Sequence, residues 1–214
     1  MKVGVLGSGD VGQALARGFA ARGHEVKIGS RDPGSDRLKA WLKETRGAIT
    51  TGTFEEAARF GELIVFSVHG SAVPEVLGDL GPGPFGEKVV IDTTNPLDFS
   101  TGSATLLFGL TDSLGERIQR TLPKAKVVKA FNTVSSVQMV DPQFPDGAPE
   151  MLICGNDPGA KKTVEGILRD FGWPAALDVG GIEEARWIEP LVPLWVRIGA
   201  KLGTWRHALK IVRP

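Results

Sequence analysis

Gly7-Ser8-Gly9-Asp10-Val11-Gly12 spaces three glycines as a dinucleotide-binding turn does. The surrounding chain supplies the rest of that unit: an apolar strand at Lys2–Leu6, an Ala-rich helix after the turn, and a second strand at Glu25–Gly29. In such a turn Gly7 permits the tight exit from the strand, Gly9 lets backbone N–H groups approach a diphosphate, and Gly12 lets the helix lie close on the sheet. The positive helix end then faces the phosphates. Gly7, Ser8, Gly9, Asp10, Val11 and Gly12 are accordingly expected to contact a cofactor.

The residue closing the second strand selects the cofactor, because NAD-specific proteins place there an acid that accepts from the ribose 2′-OH. Ser30 holds that place, followed by Arg31. Asp32 could be taken for the acid, but Asp32-Pro33-Gly34 reads as a turn beyond the strand. Ser30 and Arg31 are therefore read as a cradle for a 2′-phosphate, which favours NADP(H). The competing reading of Arg31 is a solvated side chain beside a turn.

Strands and helices keep alternating along the chain, the pattern of a parallel sheet covered on both faces. Helices are expected over 36–45 and 54–60 and strands over 62–68, 88–92, 126–131 and 151–154. Asn156-Asp157-Pro158 should start a helix ending near Phe171, and a last helix over 183–202 should be bent or staggered by Pro190 and Pro193. A long polar loop spans 95–110. The fold class is thus α/β, Rossmann-type and doubly wound, with a mainly parallel sheet and a C-terminal helical extension. Residues 1–180 (core 1–135) are expected to bind the dinucleotide and 181–214 to cover the acceptor site. On the last helix Trp187, Leu191, Leu194, Trp195, Ile198 and Leu202 recur at helical spacing as an apolar face, which suggests a homodimer.

Ligands of open α/β sheets bind at the carboxyl ends of the strands. Those ends are 67–70, 93–97 and 131–136, which offer Ser67, Val68 and His69, then Asn95 and Pro96, then Asn132 and Thr133. His69 is the only histidine on this rim. It is a weak candidate for a general acid, and a loop residue contacting ribose or phosphate is the simpler role. Asn95, Asn132 and Thr133 could position a nicotinamide carboxamide or a second substrate, or could cap turns.

The 25 basic and 25 acidic residues cancel, which disfavours nucleic acid and anionic membranes as partners. A single cysteine, Cys154, precludes an internal disulfide framework, and neither a leader nor an apolar run of membrane-spanning length is evident. A cytoplasmic location follows as an expectation. No metal site is expected, since the three histidines are scattered. The absence of tyrosine removes the Tyr-Lys acid pair of short-chain carbonyl reductases. Hydride transfer between two redox cofactors suits a site so poor in acids, because the cofactors carry the chemistry. The readings left open are a reductase of a small imine or carbonyl compound and a non-catalytic NADP-binding redox sensor.

Together with Gly29-Ser30-Arg31-Asp32, Asp92-Thr93-Thr94-Asn95-Pro96, Lys129-Ala130-Phe131-Asn132-Thr133, Cys154-Gly155-Asn156-Asp157 and the segment 189–194, the glycine turn resembles the NADPH:coenzyme F420 oxidoreductase family. It is also similar to the reductase domain of the six-transmembrane epithelial antigen of prostate proteins. The resemblance implies an NADP-dependent oxidoreductase that passes hydride to coenzyme F420 or to a flavin, FMN or FAD. It matches Ser8, Ser30 and Arg31 to the 2′-phosphate site and Asn95, Ala130 and Asn132 to the nicotinamide neighbourhood. The acceptor is expected over them, walled by the C-terminal helix. Asn132 replaces a histidine of the archaeal enzymes, and Pro190 and Val192 replace hydroxyl residues.

Overall fold

β1 (Lys2–Leu6) is buried at four of its five positions and passes through the glycine turn into α1 (Asp10–Ala21), whose inner face carries Leu15, Ala16 and Phe19. This computed structural model describes residues 1–145, 147 and 149–212. β2 (Glu25–Gly29), α2 (Asp36–Glu44), β3 (Ile49–Gly52) and α3 (Phe54–Phe60) follow. Thr53 and Glu56 close a reciprocal capping box at the start of α3. Next come β4 (Leu63–Phe66), α4 (Val73–Leu80) and β5 (Val89–Asp92). β6 (Leu97–Asp98) and β7 (Thr105–Leu106) form a small antiparallel ribbon of their own. The chain continues through α5 (Leu114–Thr121), β8 (Lys126–Lys129), β9 (Met151–Gly155), α6 (Pro158–Asp170) and β10 (Ala176–Asp178), then α7 (Ala185–Ile188) and α8 (Leu191–Leu202).

Eight strands lie in the order β10-β9-β8-β5-β4-β1-β2-β3. The pairings are parallel except that of β9 with β8. β4, read Leu-Ile-Val-Phe, is buried on both faces because helices cover both. Alternation of side chains sends Val3, Val65, Ile91 and Val128 to one core layer with Phe19 and Phe171, and Leu6, Ile64, Phe66 and Val127 to the other with Leu77 and Ile118. The chain thus has the expected Rossmann-like α/β architecture.

Asp157 accepts from the Ala160 N–H at 2.7 Å and Pro158 occupies the first turn of α6, as its sequence predicts. Three boundaries differ from the sequence reading. The strand expected over 126–131 stops at Lys129, because Phe131 turns the backbone into the left-handed region at φ 62°. The loop 95–110 contains the β6–β7 ribbon. The single helix expected over 183–202 is a short 3₁₀ turn followed by α7 and α8, which separate at Glu189 and Pro190. The stagger falls at Pro190, the N-cap of α8, while Pro193 lies in its first turn, where no N–H partner is lost.

The break also splits the expected apolar face. Val192, Trp195 and Gly199 turn inward on α8, whereas Trp187, Leu194 and Leu202 are exposed. The chain then folds back so that the His207 ring stacks on Trp195 at 4.6 Å. The final two positions of the segment 181–214, and positions 146 and 148, lie outside the described residues.

Candidate functional site

The three glycines of the turn meet three different surroundings. Gly7 has φ 127°, and a Cβ there would fall 2.5 Å from the Ser67 carbonyl oxygen. A Cβ on Gly12 would fall 2.0 Å from the Gly7 carbonyl oxygen, so both glycines are demanded by the fold itself. A Cβ on Gly9 would meet nothing within 4 Å. Gly9 is also the N-cap of α1, and no side chain fills the cap. The leading amides of α1 therefore open towards solvent with their partial positive charge unspent.

At the end of β2 the Ser8 hydroxyl donates to Ser30 Oγ at 3.2 Å, and Ser30 Oγ accepts from the Asp32 N–H at 3.2 Å. Asp32 accepts from the Gly34 N–H at 3.1 Å, so its carboxylate is engaged in its own turn. Arg31 is exposed and lines a cleft of about 220 Å³ together with Ser8, Ser30, Val68 and His69. A second cleft of about 380 Å³ continues past Gly9 and Val11 to Thr94, Asn95, Leu97 and Phe99. The two share Gly9, Ser67, Val68 and His69, and so form one trough across the carboxyl ends of β1, β4 and β5. A wider hollow of about 530 Å³ lies along the flank of α1, between Arg17, Arg22 and Ser136, and takes only Asp10 from the glycine turn.

Behind the β5 end of the trough sits a buried ionic group. Lys129 and Asp92, paired across β8 and β5, have side chains 0% exposed, and Glu189 is 2% exposed. The ammonium donates to Asp92 Oδ2 at 2.6 Å and to the Thr94 carbonyl oxygen at 2.8 Å, and contacts Glu189 Oε1 at 2.8 Å. Asp92 Oδ1 accepts from the Thr94 N–H at 2.8 Å and hydroxyl at 2.7 Å. Burial alone would depress Lys129, but the two carboxylates reverse this and hold its pKa well above the ordinary lysine range. Burial pushes the Glu189 carboxyl up, against the pull of Lys129. The Cys154 thiol, buried and free, is pushed up to about 12 by desolvation.

Residues 2–96 match the family model described as NADP oxidoreductase, coenzyme F420-dependent. The chain is 31% identical over 222 residues to the F420-dependent NADP reductase of Methanocaldococcus jannaschii, covering 99% of this chain and 98% of that protein. It belongs to the F420-dependent NADP reductase family. A crystal structure of a candidate F420-dependent NADP reductase from Arthrobacter sp. FB24 superposes with a TM-score of 0.94 at 40% identity, over the whole of both chains. Metalloreductase STEAP3 of Rattus norvegicus is 32% identical over 91% of this chain, which spans 38% of that longer protein.

In this member of the F420-dependent NADP reductase family the trough gathers Gly7, Ser8, Gly9, Asp10, Val11, Ser30, Arg31, Ser67, Val68, His69 and Asn95 of the residues singled out from sequence. Gly12 lies beneath the turn. Ala130 and Pro96 are buried, and Asn132, 5% exposed, stands behind the wall with its Nδ2 donating to Asn95 Oδ1 at 2.8 Å. Thr133 is half-buried and outside both clefts. His69 Nδ1 pairs with the Ser71 hydroxyl at 2.9 Å and caps the 3₁₀ turn Gly70–Ala72. Thr94 and Leu97, within the strand-end span 93–97, also line the trough, whereas Phe99 lies beyond that span and the ionic group behind the wall was not anticipated. The available signal was a charge ending each of two apolar strands, Asp92 after Val-Val-Ile and Lys129 after Val-Val.

Proposed function

We infer that this chain is an NADPH-dependent oxidoreductase that transfers hydride between NADP(H) and coenzyme F420. Its membership of the F420-dependent NADP reductase family carries the activity, and the uncapped, open start of α1 is the local observation that fits the cofactor. When bound, the two cofactors supply the hydride donor and acceptor centres, so the chain need only bind, align and exclude water.

The amides from Gly9 to Gly12 and the α1 dipole would hold the diphosphate. Ser8 and Ser30, whose hydroxyls lie 3.2 Å apart, would turn their protons from each other to the 2′-phosphate, with Arg31 as its counter-charge. Asp10 contributes its backbone N–H, while its carboxylate lies 3.5 Å from Arg37, which offsets a negative charge near a phosphate. Ser67, Val68 and His69 would flank the ribose. Asn95, Pro96 and Ala130 would bound the nicotinamide, and Asn132 would orient the Asn95 amide so that Asn95 Nδ2 is left to donate. The acid role of His69 loses support, since its Nδ1 is committed to Ser71 and, among the described residues, no carboxylate bonds the ring.

In this reading residues 1–180 would bind NADP(H), and 181–214 would cover the acceptor. We assign the chain to the cytoplasm as a homodimer. Exposed Trp187, Leu194, Leu202 and Trp205 on its C-terminal segment supply an apolar surface for a second copy. Light scattering coupled to size exclusion tests the dimer and expects twice the chain mass. The activity is tested by mixing purified protein with NADPH and F420, or with NADP and reduced F420, and following both chromophores. The expected result is coupled loss of one and gain of the other. FMN, FAD and small imines serve as competing acceptors, and turnover with one of these alone would reassign the second substrate.

A further inference from the structure

The buried ionic group is expensive for the fold. Three ionised side chains are withdrawn from water with one ammonium for two carboxylates, and packed apolar residues in their place would commonly give equal or greater stability. The bonds of Lys129 and Asp92 converge on one residue. Lys129 fixes the Thr94 carbonyl, Asp92 fixes the Thr94 amide and hydroxyl, and Thr94 is followed by Asn95 on the wall of the trough. From the other side Glu189 accepts from the Leu114 N–H at 3.0 Å and the Gly115 N–H at 3.1 Å, at the positive start of α5, which offsets the surplus negative charge.

Glu189 sits at the break between α7 and α8, so the C-terminal segment reaches the trough through it. The same wall is held on two further sides. A Cβ on Gly70 would lie 1.9 Å from the Asn95 carbonyl oxygen, and Asn132, bonded to Asn95, follows the left-handed Phe131. Non-glycine backbone in that region is retained where surrounding structure over-determines it.

We propose that Glu189, Lys129 and Asp92 are positioning residues, a relay through which the C-terminal segment sets the placement of Thr94 and Asn95 at the nicotinamide end of the trough. None of the three touches the ligand. The relay rests on the placement of NADP(H) given above.

The test compares two ligands of different reach. 2′,5′-ADP occupies only the adenosine end, whereas NADPH extends to Asn95. Titration of Glu189→Gln at a temperature well below its melting point is expected to show NADPH binding weakened about tenfold, the scale of one lost charge-assisted bond, with 2′,5′-ADP changed less than about twofold. Asp92→Asn, which keeps an acceptor for the Thr94 amide, is expected to show the same selectivity with a smaller loss, and it decides the matter if Glu189→Gln fails to fold. A purely structural role lowers the melting temperature of both variants without separating the two ligands. Equal losses for both ligands, or none for either, would overturn the relay. Wild-type protein that bound 2′,5′-ADP and NADPH equally well would remove the nicotinamide placement on which it stands.

Discussion

The two ends of the trough are made of different materials. At the β2 end the groups lining the trough are backbone amides, two hydroxyls and an exposed guanidinium, all within one βαβ unit of about thirty residues. At the β5 end the wall of Thr94 and Asn95 is shaped from behind by Asp92, Lys129, Asn132 and Glu189, drawn from positions nearly a hundred residues apart. The first end is local and needs only glycines in the right order. The second depends on the assembled fold and on a charge cluster closed to water.

The sharpest break of this contrast comes from Lys129→Met. It leaves two carboxylates buried without their cation and is expected to cost about 3–5 kcal/mol of stability by urea unfolding. Its pH dependence is diagnostic. With the ammonium gone, one carboxylate must take up a proton on folding, so the folded state binds more protons than the unfolded one. The variant should therefore gain stability between about pH 8 and about pH 5 as pH falls. A variant equally stable at both pH values would argue that the cluster is not ionised as described.

Next is Gly12→Ala, whose Cβ would meet the Gly7 carbonyl oxygen at 2.0 Å and must push backbone aside. It should lose about 1–3 kcal/mol of stability as overpacking does, and NADPH binding with it. Gly9→Ala sharpens the comparison, because its Cβ faces open space. Stability should change by less than about 0.5 kcal/mol, while NADPH affinity falls by about tenfold as the methyl displaces the diphosphate. Thermal melts and calorimetry on the pair would separate a glycine required by the fold from one required by the ligand.

That pair also separates what local sequence determines from what only the assembled fold determines. The local end was legible because each residue acts within its own short segment: turn, uncapped helix and Ser30-Arg31 lie in the order the motif requires. Asp157-Pro158 announced α6 for the same reason. The distal end was not, since nothing in the types of Lys129 or Glu189 tells that they meet. Only the pairing of β5 with β8 and the return of the chain after β10 bring them together. The split of the last helix was hidden likewise. Pro190 was visible, but Glu189 is anchored by the start of α5, a tertiary pull that periodicity does not record. β3 escaped notice because Ile49-Thr50-Thr51-Gly52 is short and half polar, and α5 because its helical face is interrupted by charge.

The smallest expected effect concerns Glu116, outside both ends. A hydrogen bond from Arg186 holds its carboxyl below the ordinary range, against burial that pushes it up. The folded chain thus binds this proton less tightly than the unfolded one. The stabilisation is present above the ordinary value of 4.5 and drains as pH falls below it. Arg186→Met should flatten that acid-side decline in urea unfolding measured at about pH 6 and about pH 4, and an unchanged slope would discount the pair.

The placement of the dinucleotide stands or falls at the β2 end. Calorimetric titration of wild-type protein and Arg31→Ala with NADPH and NADH tests it most directly. The wild type is expected to prefer NADPH, and Arg31→Ala to weaken NADPH about ten- to hundredfold, the range of one or two charge-assisted bonds, while leaving NADH nearly unchanged. Equal affinities in the wild type, or equal losses for both ligands in the variant, would contradict it.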